Sequence, residues 1–304
     1  MSRVITRAAP AKINLYLRIT GRRDDGYHLL DSLIAFAGAG DVVTARAAGD
    51  LSLTIDGPFA GGLSRDGGNL VLRAAHALRA ASGSANGAKL GLTKNLPLSS
   101  GIGGGYPDAA AALLALRDLW ALDIGDAELA ALGLALGADV PVCLAERPAR
   151  VSGIGDIIEP VPDLPAAWLV LANPGIPVST PEVFGRRQGP FGDPAPAPNP
   201  WTDVEALAET LAASGNDLTD AAVEAAPVIA GMLDEMADLP GALLTRLSGS
   251  GATCFSLMRD EPSAQFGVMA LAEFHRDWWI KAAPLLPPGP ADPALFGWSE
   301  TTRL

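Results

Sequence analysis

The chain has 304 residues, 49% hydrophobic and 18% charged, with a formal net charge of −12. This suits two domains, or one large domain with an appendage, of α/β or α+β type, and it excludes collagen, a coiled coil and wholesale disorder. The negative charge also excludes the basic stripe of a non-specific nucleic-acid binder, so an anionic ligand requires a local cationic pocket.

No apolar stretch reaches the roughly 20 residues of a membrane-spanning helix. Lys12 and Asn14 fall where a signal peptide would carry its apolar region, so a cytoplasmic location away from membranes is expected. Cys143 and Cys254 lie far apart in apolar runs and read as buried thiols. His28, His76 and His275 are scattered without zinc-type spacing, and no structural metal is expected.

From Arg3 to Thr20 apolar and polar residues alternate: Ile13, Leu15, Leu17 and Ile19 point one way, Lys12, Asn14, Tyr16 and Arg18 the other. The pattern predicts a strand with one wet or functional face. The stretch from Gly21 to Ser32 opens with turn residues, with Asp24 and Asp25 solvated, and short strands are expected at 33–36, 41–46 and 51–55. Helical periodicity covers 69–81, with His76 in a packing or surface role, and 89–94 reads as a strand. Asn95 to Asp108 is a glycine-rich loop opening directly into an alanine- and leucine-rich helix, with Pro107 fit for its first turn and Asp108 for the positive end of its dipole. A helix at 126–136 leads into an apolar strand beginning near Asp139. Beyond Pro162, strands at 168–172, 243–247, 252–258 and 278–282 alternate with helices at 181–187, 203–213, 226–237 and 263–274, the pattern of a layered α/β sandwich. Residues 189–200 read as an exposed loop. The proline-rich segment 285–304 reads as a mobile tail.

A glycine run entering a helix suits phosphate, because amides can approach the anion and the helix N-terminus favours negative charge. The dinucleotide fingerprint fails, since Tyr106 stands where its third glycine is required, and no lysine follows to make a P-loop. The motif P-x-x-x-G-I-G-G-G-x-x-D-A-A-A, Pro97 to Ala111, instead resembles the ATP-binding motif of the GHMP kinases, the superfamily of galactokinase, homoserine kinase and mevalonate kinase. Within it, PAKINLYLRITGRRDDGYHLLDS (Pro10 to Ser32), GADVPVCL (Gly137 to Leu144), NPGIPVSTPEVF (Asn173 to Phe184) and LSGSGATCF (Leu247 to Phe255) resemble the diphosphocytidyl-methylerythritol kinase family of the non-mevalonate isoprenoid pathway.

The resemblance, in order from Pro10 to Ala283, implies a two-domain α+β fold. A β-rich N-terminal ATP-binding domain (1–162), with helices on its sheet, would precede a smaller α/β sandwich for the substrate (163–284). It implies ATP with Mg2+ as donor and the 2-hydroxyl of 4-diphosphocytidyl-2-C-methyl-D-erythritol as acceptor, handled by a monomer or weak homodimer. Asp139 would be the base or positioning residue at the acceptor hydroxyl and Lys12 its electrostatic partner. Pro97, Gly101, Gly103, Gly104 and Gly105 would surround the ATP phosphates, Asn69 and Lys94 would approach the adenosine, and Asn14, Tyr27, His28, Thr180 and Phe184 would hold the cytidine end. Ser248 to Gly251 would form a second glycine turn nearby, while His275 would be structural.

One departure stands out. Tyr106-Pro107 replaces two small residues usual in the family, moving a hydroxyl outward and removing one amide. Two alternatives therefore accompany this reading: another small-alcohol GHMP kinase, or a protein that binds its ligands without catalysing.

Overall fold

The computed structural model describes residues 3–297. Two long strands frame it. β1 (Val4–Arg22) and β2 (His28–Ala48) pair antiparallel across a turn in which the Arg23 amide donates to the Tyr27 carbonyl. β2 is one bent strand where two short ones were expected. A register shift between Pro10 and Ala11, opposite Gly38 to Gly40, absorbs the bend without ending the pairing. Further along come β3 (Ser52–Asp56), α1 (Leu70–Ser82), β4 (Gly87–Thr93), α2 (Gly105–Leu119), α3 (Asp126–Leu136), α4 (Val140–Ala145), β5 (Ala149–Gly153) and β6 (Ile157–Pro160). Together they complete a six-stranded sheet, β3-β4-β2-β5-β6 with β1 on β2. α2 is buried from Pro107 to Leu116 because it is apolar on nearly every face. It is the central rod of a core shared with α1, α3 and the sheet.

The second half contributes β7 (Trp168–Asn173), α5 (Thr180–Arg186), α6 (Val204–Ala212), α7 (Thr219–Ala225), α8 (Val228–Ala237), β8 (Ala242–Leu247), β9 (Cys254–Met258), α9 (Glu261–Phe274) and β10 (Trp279–Pro284). Its four strands form a fully antiparallel sheet in the order β10-β7-β9-β8. The expected helices and strands of this half are present, and α7 is additional. Two cores flank the second sheet, and β1 enters both: Ile13 and Leu15 pack with Leu169 and Phe255, Leu17 and Ile19 with Val170 and Met232. The described residues include no helix long and apolar enough to cross a membrane. Cys143 and Cys254 are free and buried, and burial pushes the Cys254 thiol up to about 12.

Three expectations change. Of the two readings of the polar face of β1, wet or functional, the first falls, since Lys12, Asn14 and Tyr16 are buried. Asp139 does not precede a strand; Val140–Ala145 is a short helix with Pro141 in its first turn. Residues 285–297 are not a free tail. Leu286 donates to the Phe36 carbonyl at 2.8 Å, and Phe296, in a single 3-10 turn at Pro293–Phe296, is buried against the first core. Proline bars regular structure here, yet leucine and phenylalanine between the prolines still gain by burial. The remainder of the expected tail lies outside the described residues.

The loop at 189–200 has no regular structure, as expected, but it is tied down. Buried Asp31 accepts from Arg150 Nε at 2.6 Å and Nη2 at 3.1 Å and from the Ala195 amide at 2.6 Å, while Arg150 Nη2 donates to the Ala195 carbonyl at 2.8 Å. Burial, followed by the Asp31 charge, pushes the neighbouring Tyr16 hydroxyl above its usual range. Replacing Asp31 with Ala should cost about 2–4 kcal/mol, since one partner of a largely buried pair is removed. Urea unfolding would measure the loss, and limited proteolysis should then cut within 187–200, where the wild type resists.

Candidate active site

The site forms where loops of the two sheets meet. The loop before α2 packs backbone to backbone against the turn between β8 and β9. The Thr253 amide donates to the Ser100 carbonyl at 3.0 Å, and Ser248 Oγ donates to the Gly101 carbonyl at 3.1 Å. Gly101 has φ +74°, and a Cβ there would lie 2.5 Å from the Ser248 carbonyl oxygen and 2.7 Å from the Gly251 nitrogen. Only glycine meets both the dihedral and the approach. Gly103 and Gly104 also have positive φ, and Gly104 precedes the first turn of α2 with open space where a side chain would project.

Lys12 is brought to this loop by its own backbone, whose amide donates to the Ile102 carbonyl at 3.1 Å. Its Nζ lies 3.1 Å from Asp139 Oδ2 and donates to Asn14 Oδ1 at 3.0 Å. The Asp139 side chain is 29% exposed, against 7% for Lys12, so the pair has a buried cation and a carboxylate open to the cleft. Asp139 stands at the N-cap position of α4 without capping it, which leaves its oxygens to Lys12 and to a ligand. Asn14 spends both ends of its amide inside the protein, on Lys12 and on Ser32 Oγ at 2.7 Å. It stands behind Lys12, holding the ammonium.

Tyr106 turns its ring onto Gly137, two residues before Asp139, where any Cβ would collide with Cε1. Its backbone amide donates to the Gly103 carbonyl at 2.8 Å, closing the turn that Pro107 cannot close. Burial, then the Asp139 charge, raises the Tyr106 hydroxyl above its usual range. The departure in the motif is thus built into the wall of the site.

Beside the glycine turn lies a cavity of about 390 Å³, lined by Ser64, Asn69, Leu70, Lys94, Gly104 and Asp108 among others. Asn69 caps α1 through Oδ1, accepting from the Val71 amide at 2.9 Å, and donates to the Ser64 carbonyl at 2.9 Å. Lys94 lines this cavity, yet its three donors are engaged by Asp41, by Asp108 Oδ2 at 2.8 Å and by the Gly104 carbonyl at 3.1 Å. It braces the loop and has no donor to spare for a nucleotide. Pro97 is not brought here; it lines a separate cleft with Phe59, Trp279 and Phe296.

At the start of β2, the His28 ring lies 5.3 Å from that of Phe184 and 6.4 Å from that of Phe191. Tyr27 beside it is 63% exposed. Burial, with Arg22 and Arg187 adding repulsion, lowers the His28 pKa and favours a neutral imidazole that can both donate and accept. Thr180 Oγ1 and Ser250 Oγ share a hydrogen bond of 2.8 Å, linking α5 to the second glycine turn. Asp41, Asp108, Ser32 and Ser248 carry much of the site's internal bonding. Asp108 was marked by its place in a first turn and Ser248 by the second glycine turn; no local signal in the sequence marks the roles of Asp41 and Ser32.

Residues 69–147 match the family described as GHMP kinases N terminal domain and residues 199–277 that described as GHMP kinases C terminal. A 4-diphosphocytidyl-2-C-methyl-D-erythritol kinase of Paramagnetospirillum magneticum is 50% identical over 278 residues, 91% of this chain and 97% of the relative. The chain belongs to the 4-diphosphocytidyl-2-C-methyl-D-erythritol kinase family of GHMP kinases. A kinase of the same name from Rhodospirillum rubrum is 48% identical, with 93% of each chain covered. A crystal structure of 4-(cytidine 5'-diphospho)-2C-methyl-D-erythritol kinase superposes with a TM-score of 0.77 at 34% identity, covering 93% of this chain and 99% of that one. The homoserine kinase of Cytophaga hutchinsonii, at 18% identity and a TM-score of 0.73, shares the fold. The two-domain α+β expectation is met, and the kinase family supplies the context for Lys12 and Asp139.

Two substitutions test this geometry. Gly101→Ala should destabilise by about 2 kcal/mol or more, because a strained φ and a backbone clash coincide. Gly137→Ala should cost about 1–3 kcal/mol through overpacking. Adding Tyr106→Ser should relieve most of the second cost, and equal losses with and without the tyrosine in thermal unfolding would refute the packing account.

Proposed function

We propose that this chain transfers the γ-phosphoryl group of ATP to the 2-hydroxyl of 4-diphosphocytidyl-2-C-methyl-D-erythritol, giving the 2-phosphate and ADP. The observation that carries the reading is the Lys12–Asp139 pair, 3.1 Å apart and joined by the Lys12 amide to the glycine loop. Phosphoryl transfer asks a protein mainly to align the reactants and to balance developing charge. The glycine turn and the start of α2 suit the phosphates, and the cavity of about 390 Å³ beside them suits the adenosine.

Asp139 orients the acceptor hydroxyl and takes its proton as oxygen bonds to phosphorus and the bond to the ADP oxygen breaks. Lys12, held from behind by Asn14, pairs with Asp139 and faces the charge of the transferred group. Among the described residues no group of three or more His, Cys, Asp or Glu could hold a metal ion. Mg2+ is therefore taken as part of the nucleotide substrate, where it offsets charge on the β- and γ-phosphates. His28 and Phe184, with exposed Tyr27, suit stacking and edge recognition of a base, which favours a nucleotide-bearing alcohol over a small one. Domains at 1–162 and 163–284, the first for ATP and the second for the acceptor, complete the proposal. The reading of a binder without catalysis loses its motive where Tyr106 has a built seat on Gly137.

Incubating the protein with ATP, Mg2+ and the diphosphocytidyl alcohol should yield a product heavier by one phosphoryl group in mass spectrometry. Asp139→Asn should lower kcat by about 10²- to 10⁴-fold with a much smaller change in KM. An unchanged kcat would remove Asp139 from the mechanism, and product from homoserine or mevalonate alone would replace the acceptor.

A further inference from the structure

The kinase reading leaves one buried cluster without a task. Asp41 from the bend of β2, Lys94 from the end of β4 and Asp108 from the first turns of α2 are each at most 3% exposed. Two carboxylates share a single ammonium directly beneath the Gly104 carbonyl. As three ions they would leave one negative charge behind the turn that has to receive phosphates.

Hydrogen-bond donors divide unequally between the two acids. Asp41 accepts from the Asn95 amide at 2.6 Å and the Leu96 amide at 2.9 Å at Oδ1 and from Lys94 at Oδ2, which suits an anion and leaves Oδ2 able to accept once more. Asp108 receives Lys94 at Oδ2 alone, its Oδ1 is buried without a partner, and Asp41 lies within hydrogen-bonding reach. A charged oxygen left unpaired in the interior is far costlier than a neutral one, and two carboxylates at one site resist joint ionisation. The other titratable group facing this acid is the Cys143 thiol of α4, which burial keeps neutral. Burial pushes the Asp108 carboxyl well above the usual carboxylate range, with Lys94 pulling it down and Asp41 adding to the rise.

We propose that Asp108 is a positioning residue for the nucleotide phosphates: as a neutral acid sharing its proton with Asp41, it lets Lys94 grip the Gly104 carbonyl while the cluster carries no net charge. The inference rests on the kinase reading, since it concerns the loop that receives ATP. Loss of the proton places a negative charge under that loop, so nucleotide affinity falls as pH rises through the Asp108 titration. Asparagine keeps the shape and the neutrality; alanine keeps only the neutrality.

The test is the Kd of the Mg2+ complex of AMP-PNP for the full chain, measured by calorimetry from neutral pH to about pH 10, without acceptor. Asp108→Ala should bind about tenfold or more weakly, and Asp108→Asn should recover to within about threefold of wild type at neutral pH with a flatter pH dependence. The infrared spectrum of the wild type should contain a protonated-carboxyl band that Asp108→Asn lacks. An Asn variant as weak as the Ala variant, equal pH dependence in wild type and Asn variant, or no such band would each overturn the inference. Should the Ala variant fail to fold, the Asn comparison and the infrared difference decide without it. A wild-type chain that binds no AMP-PNP overturns the kinase reading and the positioning role together; the infrared band, read without nucleotide, still separates the two failures.

Discussion

The loop before α2 and the turn between β8 and β9 meet backbone to backbone at Gly101, and the catalytic geometry hangs on that contact. The Gly101 carbonyl accepts from Ser248 Oγ, and the same hydroxyl accepts from the Asn14 amide at 3.2 Å. One serine therefore ties the glycine loop, the second sheet and the strand bearing Lys12 into a single node. A methyl group at Gly101 would force these backbones apart, and Lys12, fixed to the same loop through Ile102, would move with them.

Around that node, charge is arranged locally against a protein that is acidic overall. Of only four lysines in the chain, Lys12 and Lys94 are both buried at the site. An ammonium is a compact centre whose three donors can point to three different elements, as Lys94 does toward β2, α2 and the Gly104 carbonyl. A planar guanidinium suits the flat, two-pronged grip of Arg150 on Asp31 instead. The two cation types are divided by the geometry each must satisfy.

Much of this was legible in the sequence wherever the signal is local. The periodicity of α1 and α3, the alternation along β1 and the glycine run before α2 each reflect a repeat set by nearby residues. Lys12 and Asp139 became legible as a pair only through resemblance, since the 126 intervening positions carry no spacing rule. Asp41 was invisible, because its partners, Lys94 and the two amides beyond it, are chosen by a sheet register that no short window contains. The alternation of β1 identified its two faces correctly but not their burial, because a polar face counts as wet until another layer is known to cover it. The segment at 285–297 was misread for a related reason, proline content reporting the absence of helix rather than the absence of contacts.

The passage of β1 through both halves bears on how the enzyme can work. Pieces that pivot need a short flexible joint, and here the joint is a hydrogen-bonded ladder whose side chains are locked into the cores on either side of the second sheet. Bending it would break several backbone bonds and open packed cores together. The two halves therefore cannot shut like jaws around their substrates. The reactants meet a floor that packing has already fixed.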